Sequence, residues 1–134
     1  MSQENVEVVR AFMASPNAGD WSPMFEWLAP DVEIRDLVHA PDVPEVLEGR
    51  EAVRRVVASW LETYDEFRTE VYEYIDADPW VICDTRWHGR GKGSDLSIDE
   101  RVADAYEVRD RKIVRAIMSF PDVATALAAV EQVE

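Results

Sequence analysis

Cysteine is nearly missing from this chain of 134 residues: Cys83 is the only one, so no intramolecular disulfide can form and nothing points to an oxidising compartment. With no histidine in a pairing motif, its thiol reads as a small buried hydrophobe rather than a nucleophile. Histidine is almost as scarce. His39 and His88 form no H-x-H, H-x-x-x-H or H-E-x-x-H arrangement, so neither a metal site nor a cofactor is expected. Gly89-Arg90-Gly91-Lys92-Gly93-Ser94 lacks the G-x-x-x-x-G-K-S/T spacing of a phosphate loop and reads as a glycine-rich strand end and bend. Positive charge is short as well. Against 28 acidic residues stand 14 basic ones, a net charge of -14, which disfavours nucleic acid and anionic membrane surfaces as partners. No stretch approaches the roughly 20 apolar residues of a membrane span, and Met-Ser-Gln-Glu-Asn-Val shows no basic region ahead of an apolar run. The expected location is the cytoplasm.

What the chain does contain is apolar material: 47% hydrophobic residues, including five Trp, four Tyr and four Phe. That is enough for one domain with its own core. Val8, Val9, Phe12 and Met13 recur at helical spacing between Glu4 and Ser15, and Pro16-Asn17-Ala18-Gly19-Asp20 is expected to end that helix. A short helix is expected over Pro23–Leu28, capped by Ser22. Leu37–Glu48, with two prolines and three acids, reads as an irregular loop able to cover a pocket mouth. After Gly49, Val53, Val56, Val57, Trp60, Leu61 and Tyr64 follow the i, i+3, i+4, i+7, i+8, i+11 series of an amphipathic helix. Strands are then expected at Phe67–Asp76, Trp80–Arg90, Ser97–Arg109 and Lys112–Phe120, the last two joined by a two-residue turn at Asp110-Arg111. Asp122 caps a closing helix from Val123 to about Gln132.

One strand stands apart. In Pro30–Asp36, alternation puts Val32, Ile34 and Asp36 on one face and Glu33 and Arg35 on the other, so a carboxylate ends the apolar face. An acid there costs several kcal/mol unless it is paired, hydrogen-bonded or solvated by a cavity, and it therefore suggests a pocket. Asp104 repeats the pattern: it shares a face with Ile98, Val102, Tyr106 and Val108. For both, the competing reading is a buried carboxylate satisfied by a tyrosine, an arginine or a backbone amide.

The order of elements resembles the SnoaL-like branch of the nuclear transport factor 2-like (NTF2-like) superfamily. The resemblance is carried by Asn17-Ala18-Gly19-Asp20, Leu28-Ala29-Pro30-Asp31-Val32-Glu33, Leu47-Glu48-Gly49-Arg50-Glu51-Ala52-Val53 and Val108-Arg109-Asp110-Arg111-Lys112-Ile113-Val114-Arg115, and it spans essentially the whole chain as a single domain. It implies an α+β fold, a cone-shaped barrel of helices on a curved, mainly antiparallel sheet with a C-terminal helix, enclosing a cavity and usually forming a homodimer. Similarity to the ketosteroid isomerases implies Asp36 as a base and Asp104 as a hydrogen-bond-donating acid, while Phe12 stands where their tyrosine would be. A phenyl ring cannot donate.

The strand Trp80–Arg90 carries Ile82, Asp84, Arg86, His88 and Arg90 on its even face and Val81, Cys83, Thr85 and Trp87 on its odd face. In the register of the isomerase comparison, Asp84, Arg86 and His88 join the two aspartates, with His88 as a proton shuttle and Arg86 as an anchor for a ligand carboxylate. Slipped by one residue, the three are solvated or at a dimer interface. Phe12, Trp60, Tyr64, Tyr106, Met118 and Phe120 are candidate apolar pocket wall, with plain core as the alternative. Two functions follow: a cofactor-independent enzyme using Asp36, Asp104 and His88 on a small apolar or carbonyl-bearing molecule, or a non-catalytic module for small-molecule binding or dimerisation. A homodimer through the outer sheet face is expected from Tyr72, Tyr74, Ile113 and Ile117.

Overall fold

A computed structural model describes residues 2–18, 21–38, 44–93 and 97–132. Gly19-Asp20, residues 39–43 of the expected mouth loop (His39 included) and Ser94-Asp95 lie outside the described residues.

Helix α1, Ser2–Ala18, runs three residues beyond the expected end at Ser15, taking Pro16 into its last turn. It lays Val9, Phe12 and Met13 onto the sheet as a fully apolar stripe. A 3-10 helix, Ser22–Trp27, follows and buries Met24 and Phe25. Strand β1, Leu28–Asp36, buries Val32 and Ile34, in keeping with its alternation. The segment read as loop contains a short strand, β2 (Val46–Glu48), antiparallel to β1. Helix α2, Arg50–Thr63, is tied to β1 at its start: the Gly49 N–H donates to the Val32 carbonyl at 2.7 Å, and Arg50 reaches the Leu28 carbonyl at 2.5 Å. Gly49 has φ 93°, a conformation that only glycine adopts without strain, so this junction depends on its lacking a side chain.

The rest is sheet, closed by a helix. Strands β3 (Tyr64–Ala77), β4 (Trp80–Gly91), β5 (Ser97–Arg109) and β6 (Lys112–Phe120) form an antiparallel meander, and β1 joins β6 in parallel. The sheet order is β2-β1-β6-β5-β4-β3. Asp110 and Arg111, at φ 51° and 65°, make the expected two-residue turn. Helix α3, Val123–Glu131, starts at Asp122, whose carboxylate accepts the Thr125 N–H at 2.7 Å.

Two cores result. The inner one packs α1 and the first turns of α2 against Val81, Cys83, Tyr106, Val108 and Ile113. The outer one packs Ala126 and Val130 of α3 on Trp80, Ile82, Ala103, Ala105 and Phe120. Even positions of β4 therefore face outward.

Bulges correct the expected outer apolar patch. In β3 an extra residue at Tyr72 slips the alternation, so Tyr74 turns inward against the inner core under Arg10, 4.5 Å from its ring. Ile113 is fully buried on the inner face, and Ile117 packs beside the α3 core. Of the four residues expected to form that patch, only Tyr72, 43% exposed, is an exposed large hydrophobe.

Candidate functional site

Helix α2 does not sit flat on the sheet. Val53 and Val57 reach the inner core, while Val56 and Trp60, one position round, stand over open space. Between that face and the inner surface of the sheet lies a cleft of about 720 Å³. Asp36 from β1, Phe67 from β3, Trp87 from β4, Val102 from β5, and Met118 and Ser119 from β6 form its sheet side. Arg55 and Glu100 are the other charged residues along it.

Aromatic rings give the cleft one wall. Phe67 is its centre: Trp60 stacks on it at 5.6 Å and 13°, and Tyr64 and Trp87 each stand 5.7 Å away, tilted. Gly89 makes room for this ring. A Cβ there would sit 3.0 Å from Phe67 Cδ2 and 3.4 Å from Tyr64 Cβ.

Asp36 ends β1 half-buried on the cleft wall. Its N–H donates to the Glu45 carbonyl and its Oδ1 accepts the Val38 N–H, both at 3.0 Å, so the carboxylate is held from its own loop, and among the described residues no cation pairs with it. Asp104 lies behind the wall and is fully buried. Its Oδ2 accepts from Trp87 Nε1 and its Oδ1 from the Ser119 N–H, each at 2.9 Å. Burial pushes its carboxyl up to about 6 against the pull of these two donors, and the charge of Asp36 adds to the rise.

Other residues expected at the site are elsewhere. Phe12 and Tyr106 are core: their rings meet edge to face at 5.5 Å, and the Tyr106 hydroxyl points to Met13 Sδ at 4.0 Å. Phe120 lies outside the sheet beneath α3, because two residues of β6, Met118 and Ser119, oppose the single Asp104 and slip the alternation by one. Ser119 takes φ 73° there. Asp84, Arg86 and His88 are also on the outer face, contrary to the register of the isomerase comparison. Arg101 holds Asp84 at 3.0 and 3.1 Å, Arg86 pairs with Asp99, and His88 lies 3.3 Å from Glu70. The reason is the odd face of β4: Val81, Cys83 and Thr85 are fully buried, and hiding them outweighs placing three ionisable groups in the interior. Of the residues expected at a pocket, Trp60, Tyr64, Met118 and Asp36 line the cleft. Phe67, Trp87 and Ser119 were missed, though the apolar odd face of β4 carried the signal for Trp87. Among the described residues, no three His, Cys, Asp or Glu side chains are grouped to hold a metal, and no helix is long and apolar enough to cross a membrane.

No functionally curated protein matches the chain. Solved structures do. An NTF2-like protein from Burkholderia thailandensis is 24% identical, with a TM-score of 0.75 over 94% of this chain and 96% of that one. Bal32a, from a soil-derived mobile gene cassette, is 19% identical, with a TM-score of 0.76 over 95% and 96%. A candidate SnoaL-like polyketide cyclase from Jannaschia sp. CCS1 is 17% identical, with a TM-score of 0.71 over 99% and 95%. The fold is NTF2-like, of the ketosteroid isomerase-like kind. Residues 9–116 match the SnoaL-like domain model, and the chain therefore belongs to the SnoaL-like family.

Proposed function

We propose that the protein takes a small, largely apolar, carbonyl-bearing molecule into the cleft beneath α2, and that Asp36 acts there as the general base of a cofactor-independent reaction. The observation that carries this reading is the position of Asp36, a carboxylate that no cation pairs with among the described residues, in a cleft whose apolar surface is formed by Trp60, Phe67, Trp87 and Met118. Such a wall binds an apolar body, and the acid is placed to take a proton from a carbon beside a carbonyl. The electron pair of the broken C–H bond moves onto the carbonyl oxygen as an enolate, and the proton returns to the same or a neighbouring carbon. The enolate needs a donor. Phe12 has no hydroxyl and Asp104 is fully buried behind the wall, which leaves the hydroxyls of Ser59, Tyr64 and Ser119 and the guanidinium of Arg55 on the cleft lining for this part. The similar polyketide cyclase candidate is named for chemistry on a carbonyl-rich class of molecule, in keeping with such a ligand. The proposal includes a homodimer through the part of the outer sheet face that α3 leaves bare.

Exchange of the α-protons of 2-tetralone in heavy water, followed by proton NMR, tests the reaction. A general base contributes about 10²- to 10⁴-fold, so the protein should accelerate exchange and Asp36→Asn should lose most of that gain. Equal exchange by both would remove Asp36 as the base. Saturable binding with no exchange by either would leave a binding module.

A further inference from the structure

Asp104 is bound by two strands at once. The indole N–H of Trp87 on β4 occupies one carboxylate oxygen, and the backbone N–H of Ser119 on β6 occupies the other. Both donors belong to residues of the cleft wall, while Asp104 itself, with no exposed surface, is not part of it. Neither donor has an easy alternative. The Ser119 N–H is turned out of the regular ladder by the bulge, and the indole N–H of a partly buried Trp87 would be stranded against apolar neighbours. One carboxylate, reaching to either side of its own strand, thus fixes two adjoining pieces of the surface a ligand would meet.

We propose that Asp104 is a positioning residue: it touches no ligand, but by clasping the Trp87 indole and the Ser119 bulge it sets the shape of the cleft wall beside Asp36. The inference rests on the cleft being a ligand site. It also departs from the donor role implied by the isomerase likeness, because Asp104 is fully buried behind the wall with its oxygens turned to Trp87 and Ser119.

The clasp depends on charge. Around Asp104, Asp36 on β1 repels it, while Cys83 on β4 and Tyr106 on β5 are held neutral by burial. From α1, Phe12 and Met13 are apolar and Arg10 stands over Tyr74. The carboxylate is thus stabilised chiefly by its two N–H donors, and its pKa is raised to about 6. A proton takes a free lone pair on one oxygen, removes the charge that both N–H groups bind and leaves that oxygen the poorer acceptor. One of the two clasps then weakens, and the wall loosens.

The experiment uses prodan, a neutral planar naphthyl ketone, as the probe. Its affinity is read by fluorescence from about pH 5 to about pH 8, together with the side-chain indole N–H resonances in ¹H–¹⁵N spectra. Wild-type affinity should fall about 3- to 10-fold as pH drops through the Asp104 transition, while the Trp87 indole resonance, identified by its loss in Trp87→Phe, titrates with it. Asp104→Asn should abolish the step, and Asp36→Asn should keep it with the midpoint moved to lower pH, because the Asp36 charge no longer raises the Asp104 carboxyl. Trp87→Phe removes one donor and should move the midpoint to higher pH, an effect that ring packing alone would not produce. A step that survives in Asp104→Asn, or disappears in Asp36→Asn, overturns the proposal. Should Asp104→Asn fail to fold, an unmoved midpoint in Trp87→Phe overturns it equally. Absence of prodan binding alongside an intact indole titration would sink the ligand-site reading while leaving the Asp104–Trp87 clasp established.

Discussion

Gly89 holds its place through what stands opposite it. Phe67 fills the space a side chain would take, and four other rings lean on Phe67, so the ring has nowhere to retreat except into the cleft. Gly89→Ala would gain about 0.4–1 kcal/mol by restricting the unfolded chain, but overpacking a filled core costs about 1–3 kcal/mol. The loss should win. Thermal melting of Gly89→Ala is expected to show a lower midpoint, with weaker prodan binding because Phe67 is displaced toward the ligand; an unchanged or raised midpoint would mean the aromatic cluster is loosely packed. Little of this was legible in the sequence. Gly89 read as one of several glycines at a strand end, because its role is set by Phe67, 22 residues away in the chain, through pairing of β3 with β4.

At the scale of elements, features set by local chemistry were legible and those set by pairing irregularities were not. The α2 stripe, the Asp110-Arg111 turn and the Asp122 cap each depend on residues within a turn or two of one another, and the structure has the turn, the cap and the stripe as far as Trp60, while Leu61 is exposed and Tyr64 already begins β3. Alternation along β5 also held, placing Asp104 and Tyr106 on the inner face. It failed wherever a bulge added a residue: at Tyr72, which turned Tyr74 inward, and at Met118-Ser119, which sent Phe120 outward. Bulges arise from the fit of two strands, and neither strand alone announces them. The Ser119 bulge leaves a measurable mark. Valine is ordinarily better than serine in a strand, yet at φ 73° any L side chain is strained by about 1–2 kcal/mol, a β-branched one is the worst placed, and glycine is not strained. Chemical denaturation should therefore rank Ser119→Val below the wild type and Ser119→Gly level with it or above. The reverse order would show that Ser119 sits in an ordinary extended strand.

For the whole molecule the governing fact is a net charge of -14, which makes any encounter between two copies repulsive unless they meet where the charge is balanced. The outer face of β3–β5 beyond α3 is such a place. Asp84 is matched by Arg101 and Asp99 by Arg86, with Tyr72 between them under the Arg101 guanidinium at 4.4 Å, and His88 lies against Glu70. These pairs are exposed and of little worth to the monomer's stability, but they leave the face near neutral around a half-exposed ring. A homodimer closed through this face opposes the like charge carried elsewhere on each copy, and salt relieves that opposition: the screening length shrinks from about 10 Å at about 0.1 M to about 3 Å at about 1 M. Self-association should therefore strengthen with salt, opposite to a dimer held by ion pairs between copies. Sedimentation velocity at micromolar concentration, run at both salt levels, measures this directly. Arg101→Glu, which sets an unmatched acid pair at the centre of the face, should be monomeric at the lower salt while melting close to the wild type. A wild-type monomer at both salt levels would remove the dimer, and a dimer indifferent to Arg101→Glu would move it to another surface.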